Sequence, residues 1–377
     1  MTATNVAHGM GTELVEPDWA PLTAADITSV LRHYPGLGRC RGLAWHSPRP
    51  FSSAGIAETG AGPLFVKRYH RLIRDVAGFV EEHRFIAHLR AAGAPVPEVL
   101  ADGTGATARA EGDWVYEVQR IGPGEDLYRD ALSWSPFRAP AHAHAAGRAL
   151  AELHRAAAGY DAPRRSASTL VASFTLMRSA DPLRGIADYA AARPALRAYL
   201  AARDWQAEIA RSVLPFHRRL QPFVDRLAPL WTHNDWHASN LLWQGDEVSA
   251  VLDFGLADRT SALHDLATAI ERNAVRWLDL PLDPSEPVDY PAIDALIEGY
   301  QSVTPLQPWE RQALAALLPV VHVEFALNEA DYFLAALGAE DRADLAYETY
   351  LLGHADWFAG PRGRKLLAHL EGTDVAA

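Results

Sequence analysis

The sequence predicts an α+β fold in two lobes, a small β-rich lobe over residues 1–120 and a larger, mainly helical one over 121–377. Three observations predict it. Strand-like runs rich in β-formers, separated by turns bearing glycine and proline, crowd into the first third of the chain. After "GPGEDLYRD" the pattern is almost entirely helical, as in "HAHAAGRALAELHRAAAG". A chain of 377 residues, 49% of them hydrophobic, can also bury two cores.

Taken in order, a short helix is expected over about Thr23 to Tyr34, from its polar start and apolar spacing. Three strands follow in "RGLAWHS", "SSAGIAET" and "PLFVKRY", joined by "PRPF" and "GAGP". The next helix runs roughly from Ala77 to Ala92 and stops at Gly93. Strand-like pieces near Thr107 to Arg109 and in "DWVYEVQRI" complete the small lobe. Inside the helical lobe, "NLLW", the turn "QGDE" and "VSAVLDFG" read as a hairpin. A cleft between two lobes is a common place for a ligand.

Composition removes several classes of function. The single cysteine, Cys40, allows neither a disulfide framework nor a cysteine metal cluster. A net charge of -12 lacks the basic footprint of a nucleic-acid binder. The start "MTATNVAHGMGTELVEPDW" has no signal-peptide pattern, and no window reaches eighteen uninterrupted apolar residues, so a cytoplasmic protein is expected. Of 35 basic residues only Lys67 and Lys365 are lysine. A chain so biased to arginine places Lys67, in the strand "PLFVKRYH", where a compact, flexible point charge is required.

The polar residues of "LWTHNDWHASNLLW" stand among bulky apolar ones, as a catalytic loop pinned into a core would. Asn240 follows Asp235 by five residues, and Asp253-Phe254-Gly255 follows after the hairpin. An aspartate, an amide and a second carboxylate around one point suit magnesium, which takes hard oxygen donors and keeps waters and phosphates. With Lys67 to clamp phosphates, the set has the division of labour that phosphoryl transfer requires. Phe79, Glu82, Ile86 and Leu89 share one helical stripe, so Glu82 rather than Glu81 is aimed inward to pair with Lys67.

"THNDWHASNLLW", "VLDFG" and "HDLA" together resemble the aminoglycoside phosphotransferase and choline kinase-like group of small-molecule kinases, relatives of protein kinases. That group's loop commonly reads H-G-D-x-H-x-x-N, matched here at His233, Asp235, His237 and Asn240. The match extends through "FVKRY", "EEHRFIAHLRAAGAPVP" and "RALAELHRA" and covers roughly residues 45 to 270. The resemblance implies a protein kinase-like fold, ATP or GTP as co-substrate, Mg2+, and a small hydroxyl compound as acceptor. It makes Asp235 the base, gives magnesium to Asn240 and Asp253, and the α- and β-phosphates to Lys67. "YEVQRI", with Glu117 and Val118, becomes the hinge that binds the nucleotide base, while His233 and Asp265 support the loop. Two departures stand out. The glycine-rich phosphate loop is replaced by "HSPRPFSSAG", leaving backbone N–H groups and the Ser52 or Ser53 hydroxyls for phosphate. Trp236 replaces a smaller aliphatic and is expected to wall the acceptor pocket.

Other readings compete. His233, Asp235 and His237 also spell H-x-D-x-H, a possible zinc set, which explains neither Lys67 nor Asp253. A kinase-like module that only binds nucleotide is the alternative from outside catalysis. His322 and Glu324 line an acceptor site or sit satisfied in the core. Residues 161–230 carry eleven Arg against six acids, and residues 271–345 fourteen acids against four Arg. These counts favour an anionic and a polycationic acceptor respectively, and leave an aminoglycoside-like, sugar or amino-alcohol acceptor open. Only nine residues separate Gly255 from Asp265, too few for the activation segment of a protein kinase.

Overall fold

The computed structural model describes residues 7–8, 11–166, 169–282 and 285–373, so part of the N-terminal leader reading, residues 1–6 and 9–10, lies outside the described residues. The chain forms two compact units. The first comprises residues 1–132, 165–167 and 241–252; the second comprises 133–164, 168–240 and 253–377.

The first unit carries a five-stranded antiparallel sheet of β1 (Gly42–His46), β2 (Ser53–Thr59), β3 (Gly62–His70), β4 (Arg109–Glu111) and β5 (Trp114–Arg120). Their order across the sheet is β1-β2-β3-β5-β4. Helix α1 (Ala24–Leu31) begins at a capping box between Thr23 and Asp26. It buries Ile27, Val30 and Leu31 in a cluster with Leu64, Val66, Tyr116 and Val118. Helix α2 (Val76–Ala91), capped by Asp75, buries Phe79, Glu82, Phe85, Ile86 and Leu89 along one stripe, the register expected from sequence. Gly55 has a packing reason: a Cβ there would lie 2.8 Å from Trp45 O, beside the irregularity where β1 shifts register against β2. The hairpin Leu241–Gln244/Glu247–Val251 clusters with this unit. Trp243 exchanges backbone hydrogen bonds with Glu125, and Val251 N donates to Pro95 O.

In the second unit, helix α3 (Pro140–Ala157) packs on α5 (Tyr290–Gln301), with α4 (Ala262–Ala274) between them in sequence. Glycines face each other at that crossing. A Cβ on Gly147 would collide with the Leu296 carbonyl, and one on Gly299 with the His144 carbonyl. The close approach brings His154 on α3 to Tyr300 on α5. Strands β6 (Pro229–Thr232) and β7 (Asp258–Ser261) pair antiparallel, Thr232 opposite Asp258, and so set the two ends of the polar series side by side. Helix α6 (Val323–Tyr332) is almost wholly buried.

Candidate active site

The loop after β6 turns at Asn234, whose φ of 60° lies in the left-handed region that asparagine tolerates better than most residues. The turn is held from several sides. Asn234 Oδ1 accepts from the Thr232 and Thr260 hydroxyls at 2.9 and 3.0 Å, and Nδ2 donates to Ala172 O at 3.2 Å. Asp265, in the first turn of α4, accepts the backbone N–H of His233 at 2.9 Å and of Asn234 at 2.8 Å. His154 bonds the same carboxyl at 3.0 Å, and its other nitrogen meets the Tyr300 hydroxyl at 3.0 Å. Burial alone would raise the Asp265 pKa, but His154, His233 and these N–H bonds pull it below the ordinary carboxylate value. The fully buried Asp265 therefore stays ionised.

This cradle presents Asp235. The backbone N–H of Asp235 donates to His233 Nδ1 at 3.2 Å, and Asn240 Nδ2 donates to its Oδ2 at 3.1 Å and its carbonyl at 2.9 Å. His237 Nε2 lies 3.5 Å from Oδ2, and the Arg272 guanidinium 3.7 Å from Oδ1. Burial opposes the charge, yet His237, Arg272 and His233 outweigh it and hold the carboxyl well below the usual range. Asn273, on α4, straps the loop from behind. It accepts from Ala238 N at 2.9 Å and donates to Trp236 O at 2.8 Å. Trp236 itself is fully buried and stands edge-on to His233, so it belongs to the core under the loop rather than to a pocket wall. Phe254 packs on the other side of His233 at 4.8 Å. Next to it, Asp253 is held at φ 57°, another strained non-glycine position, and its Oδ1 accepts from Gly255 N at 3.2 Å.

These residues suit one class of metal. Asn240 turns its Nδ2 to Asp235, leaving Oδ1 for another partner, and Asp253 is a second oxygen donor. Two protein oxygens completed by waters and phosphates describe a magnesium site. Among the described residues no group of three or more His, Cys, Asp or Glu could hold a metal, and catalytic zinc requires such a group.

In the first unit Lys67 is 4% exposed, with Nζ 5.0 Å from the Tyr69 ring centroid. It stands opposite Glu117 in the β3–β5 ladder. Glu82 is buried and bridges Arg165 at 3.4 Å and Arg74 at 3.5 Å, while the half-buried Glu81 binds the Ser166 hydroxyl at 2.7 Å. The two arginines were not foreseen. Three sequence expectations change here. Glu117 and Val118 lie inside β5, not in a hinge: the Glu117 carboxyl holds His83 Nε2 at 2.9 Å and Gln119 Nε2 at 2.7 Å, and the Val118 carbonyl accepts from Leu100 N at 2.8 Å. The strand ends only at Arg120, so free backbone groups come later. The Ser53 hydroxyl is buried and donates to Ala20 O at 2.7 Å, which leaves Ser52 as the serine of the loop.

Adjoining Asp235 in the second unit is a narrow pocket lined by Trp134, Glu271, Arg272, His322, Glu329 and His354, among others. Arg272 links it to the Asp235 loop, 3.7 Å from Asp235 and 3.6 Å from Glu271. His354 lies 3.4 Å from Glu271 and stacks on Trp277. Glu324 faces elsewhere, accepting from Thr175 N, the Thr175 hydroxyl and Leu176 N.

Comparison with known proteins fits this geometry. The model of the phosphotransferase enzyme family that includes the aminoglycoside phosphotransferases matches residues 56–306, two-thirds of the chain and all of the loop, hairpin and Asp265. The chain belongs to that family. It is a kinase of small molecules. A homoserine kinase of Methylocella silvestris is 27% identical over 329 residues, covering 85% of this chain and 90% of its own. A homoserine kinase of a Methylobacterium species is 33% identical over 187 residues, about half of each chain. Among solved structures, an amicoumacin kinase in complex with AMP-PNP and Ca2+ superposes with a TM-score of 0.56 at 13% identity, covering 87% of this chain and 92% of its own. A microcompartment-associated aminopropanol kinase gives 0.54 at 17%, covering 88% and 99%. These two share the fold, which is protein kinase-like. No helix among the described residues is long and apolar enough to cross a membrane.

For this family member, sequence reading missed Asn273, Arg272, Glu271, Glu329, His354 and Trp134. Asn273 and the Glu271–Arg272 pair sit on the helix opened by "HDLA", seven residues or so after Asp265, where a polar run on a buried helix was the available signal. Of the two residues expected either to line an acceptor site or to sit in the core, His322 lines this pocket and Glu324 does not.

Proposed function

We propose that this kinase transfers the γ-phosphate of ATP or GTP, with Mg2+, to a hydroxyl of a small acceptor: an amino alcohol, a sugar or an aminoglycoside-like compound. The observation that carries the reading is Asp235, an ionised carboxylate anchored by Asn240 and stabilised by His237 and Arg272, on a loop whose backbone is fixed by Asp265. Such a carboxylate accepts a hydrogen bond from the acceptor hydroxyl and orients its oxygen for in-line attack. Because its pKa is depressed, it takes the proton late, as the forming phosphate ester makes that hydroxyl acidic. Asn240 and Asp253 hold magnesium, which neutralises phosphate charge when bound. The family resemblance gives Lys67 to the α- and β-phosphates, with Glu82 and Glu117 as its carboxylate neighbours, and places the nucleotide base beyond Arg120. His233, His237 and Asp265 keep Asp235 in position. The homoserine and aminopropanol kinases among its likenesses favour an amino-alcohol acceptor.

The test is magnesium-dependent transfer from labelled ATP and GTP to a panel of amino alcohols, sugars, nucleosides and aminoglycosides, with Asp235→Asn as blank. Transfer that disappears in the blank is the expected result. Binding of Mg-nucleotide with no transfer to any acceptor would instead make the chain a binding module.

A further inference from the structure

The pocket beside Asp235 is unfinished in its polar bonding. Trp134 Nε1, Arg272 Nε and His322 Nδ1 are buried without a hydrogen-bond partner. Glu329, 6% exposed on α6, lines the same pocket. Buried polar groups are almost always satisfied, so three on one cavity mark a ligand's place. Its charge says which ligand. Three carboxyls, Asp235, Glu271 and Glu329, meet one guanidinium, Arg272, already drawn to the first two. A cation is what the set lacks. Trp134, Tyr350 and Phe325 add aromatic faces, and Trp134 and Tyr350 lie 5.0 Å apart, a surface suited to an ammonium group. The room they enclose is about 30 Å³, enough for one or two water-sized groups and too little for a sugar ring. Trp134 is held at φ 61°, a strained conformation that aims the indole here.

We infer that this pocket is the amine subsite of the acceptor: it takes the protonated amino group of a short amino alcohol between Glu329, Glu271 and Trp134, which sets the hydroxyl at Asp235. The inference rests on the kinase reading above and narrows its acceptor. It favours a compact amine over neutral sugars, which bring no charge to draw Glu329 into its ionised form. The state of Glu329 agrees. Burial, with Asp235 and Glu271 nearby, pushes its pKa up to about 8 against the pull of Arg272, while His322 and His354 face the pocket with pKa values lowered by burial. An arriving ammonium brings Glu329 back to its ionised form and expels a proton.

The experiment pairs two- to four-carbon amino alcohols, with and without a carboxylate, with the diols that replace each amine by a hydroxyl. Mg-ATP-dependent kcat and KM are measured for each, and proton release on amine binding is measured by calorimetry in two buffers at pH 7. Expected are a preference of roughly a hundredfold in kcat/KM for an amine over its diol, as a site built for one polar group rejects its replacement, and release of nearly one proton. Glu329→Gln loses both, chiefly through KM, and Glu329→Asp recovers part; thermal melting confirms that each variant folds. Diols that match their amines in the wild type, or an unchanged preference in Glu329→Gln, would overturn the subsite and leave the kinase reading standing. A wild-type protein that binds no Mg-nucleotide overturns the kinase reading itself.

Discussion

The loop that carries Asp235 and the pocket beside it belong to one unit, yet they are built on opposite principles. In the loop, six backbone N–H groups have partners supplied by the chain: His233 and Asn234 on Asp265, Asp235 on His233, His237 on Asp235 O, Ala238 on Asn273, Asn240 on His237 O. In the pocket, Trp134, Arg272 and His322 present donors or acceptors with none. The first is preorganised before any ligand arrives, so no reorganisation is needed at the moment of reaction. On the reading proposed above, the second is completed by the acceptor it binds.

The contrast is broken most directly at Asp235. Asp235→Asn keeps the shape and the Asn240 contact but removes the charge, and turnover should fall roughly 10²- to 10⁴-fold with the melting temperature nearly unchanged. Initial rates with saturating Mg-ATP and the best acceptor measure it. A variant within a few-fold of wild type would mean that the rigid loop serves something other than proton acceptance.

Asp265 comes next. Asp265→Asn cannot accept both N–H bonds and His154 as a carboxylate does, and it breaks a buried charged network, a change that costs about 3–5 kcal/mol. Urea unfolding should show a lower midpoint at an unchanged slope. Any loss of kcat then comes from a loosened loop. If the stability does not move, the cradle is decorative and the comparison between a rigid loop and an open pocket collapses.

These two residues were legible because their spacing is local: His233, Asp235, Asn240 and Asp253 lie within 21 positions, and Asp265 opens the next helix. The sheet was legible through its turns, and the inward face of α2 through its period, which placed Glu82 within the core. Glu117 misled because a carboxylate near a strand end looks like a hinge group. In the fold the strand runs three residues further, and His83 of α2 claims the carboxyl. Ser53 misled likewise, since its partner Ala20 comes from a segment 33 residues earlier. The pocket was hidden for a different reason. Trp134, Arg272, Glu329 and His354 come from four distant stretches, and buried acids on an apolar helix look in sequence like any other polar positions.

A third prediction uses pH. Glu329 has its folded pKa raised to about 8, so between its ordinary value and 8 the folded state keeps a proton that the unfolded chain has released. Stability is therefore greatest at the acid end of that window and is lost as pH rises, by up to a few kcal/mol. His264 and His322 act at the other end. Burial lowers each to about 4, so their contribution is present above the ordinary histidine value and lost as pH falls toward 4. Wild-type melting temperatures should peak between these slopes. Glu329→Gln should flatten the alkaline one alone, and an amine-bearing acceptor should do the same without mutation. Parallel curves for wild type and variant would show that Glu329 is satisfied by something other than a ligand.

The smallest effect separates recognition from packing. Trp134→Phe preserves an aromatic face against Tyr350 and under Arg272, whose guanidinium carbon lies 4.9 Å from the indole ring, but removes the unpartnered Nε1. If the indole is only a wall, deleting an unsatisfied buried donor costs the free protein little stability. If it also bonds the acceptor, KM should rise by about fivefold, a loss of about 1 kcal/mol typical of one neutral hydrogen bond, with kcat retained because Asp235 and its cradle are untouched. A rise in KM with no fall in melting temperature puts the indole on the ligand side of the comparison. A fall in both kcat and stability with KM constant would place it on the side of the loop, as a strut for Arg272, and the boundary between the fixed and the open parts of this site would have to be drawn one residue further out.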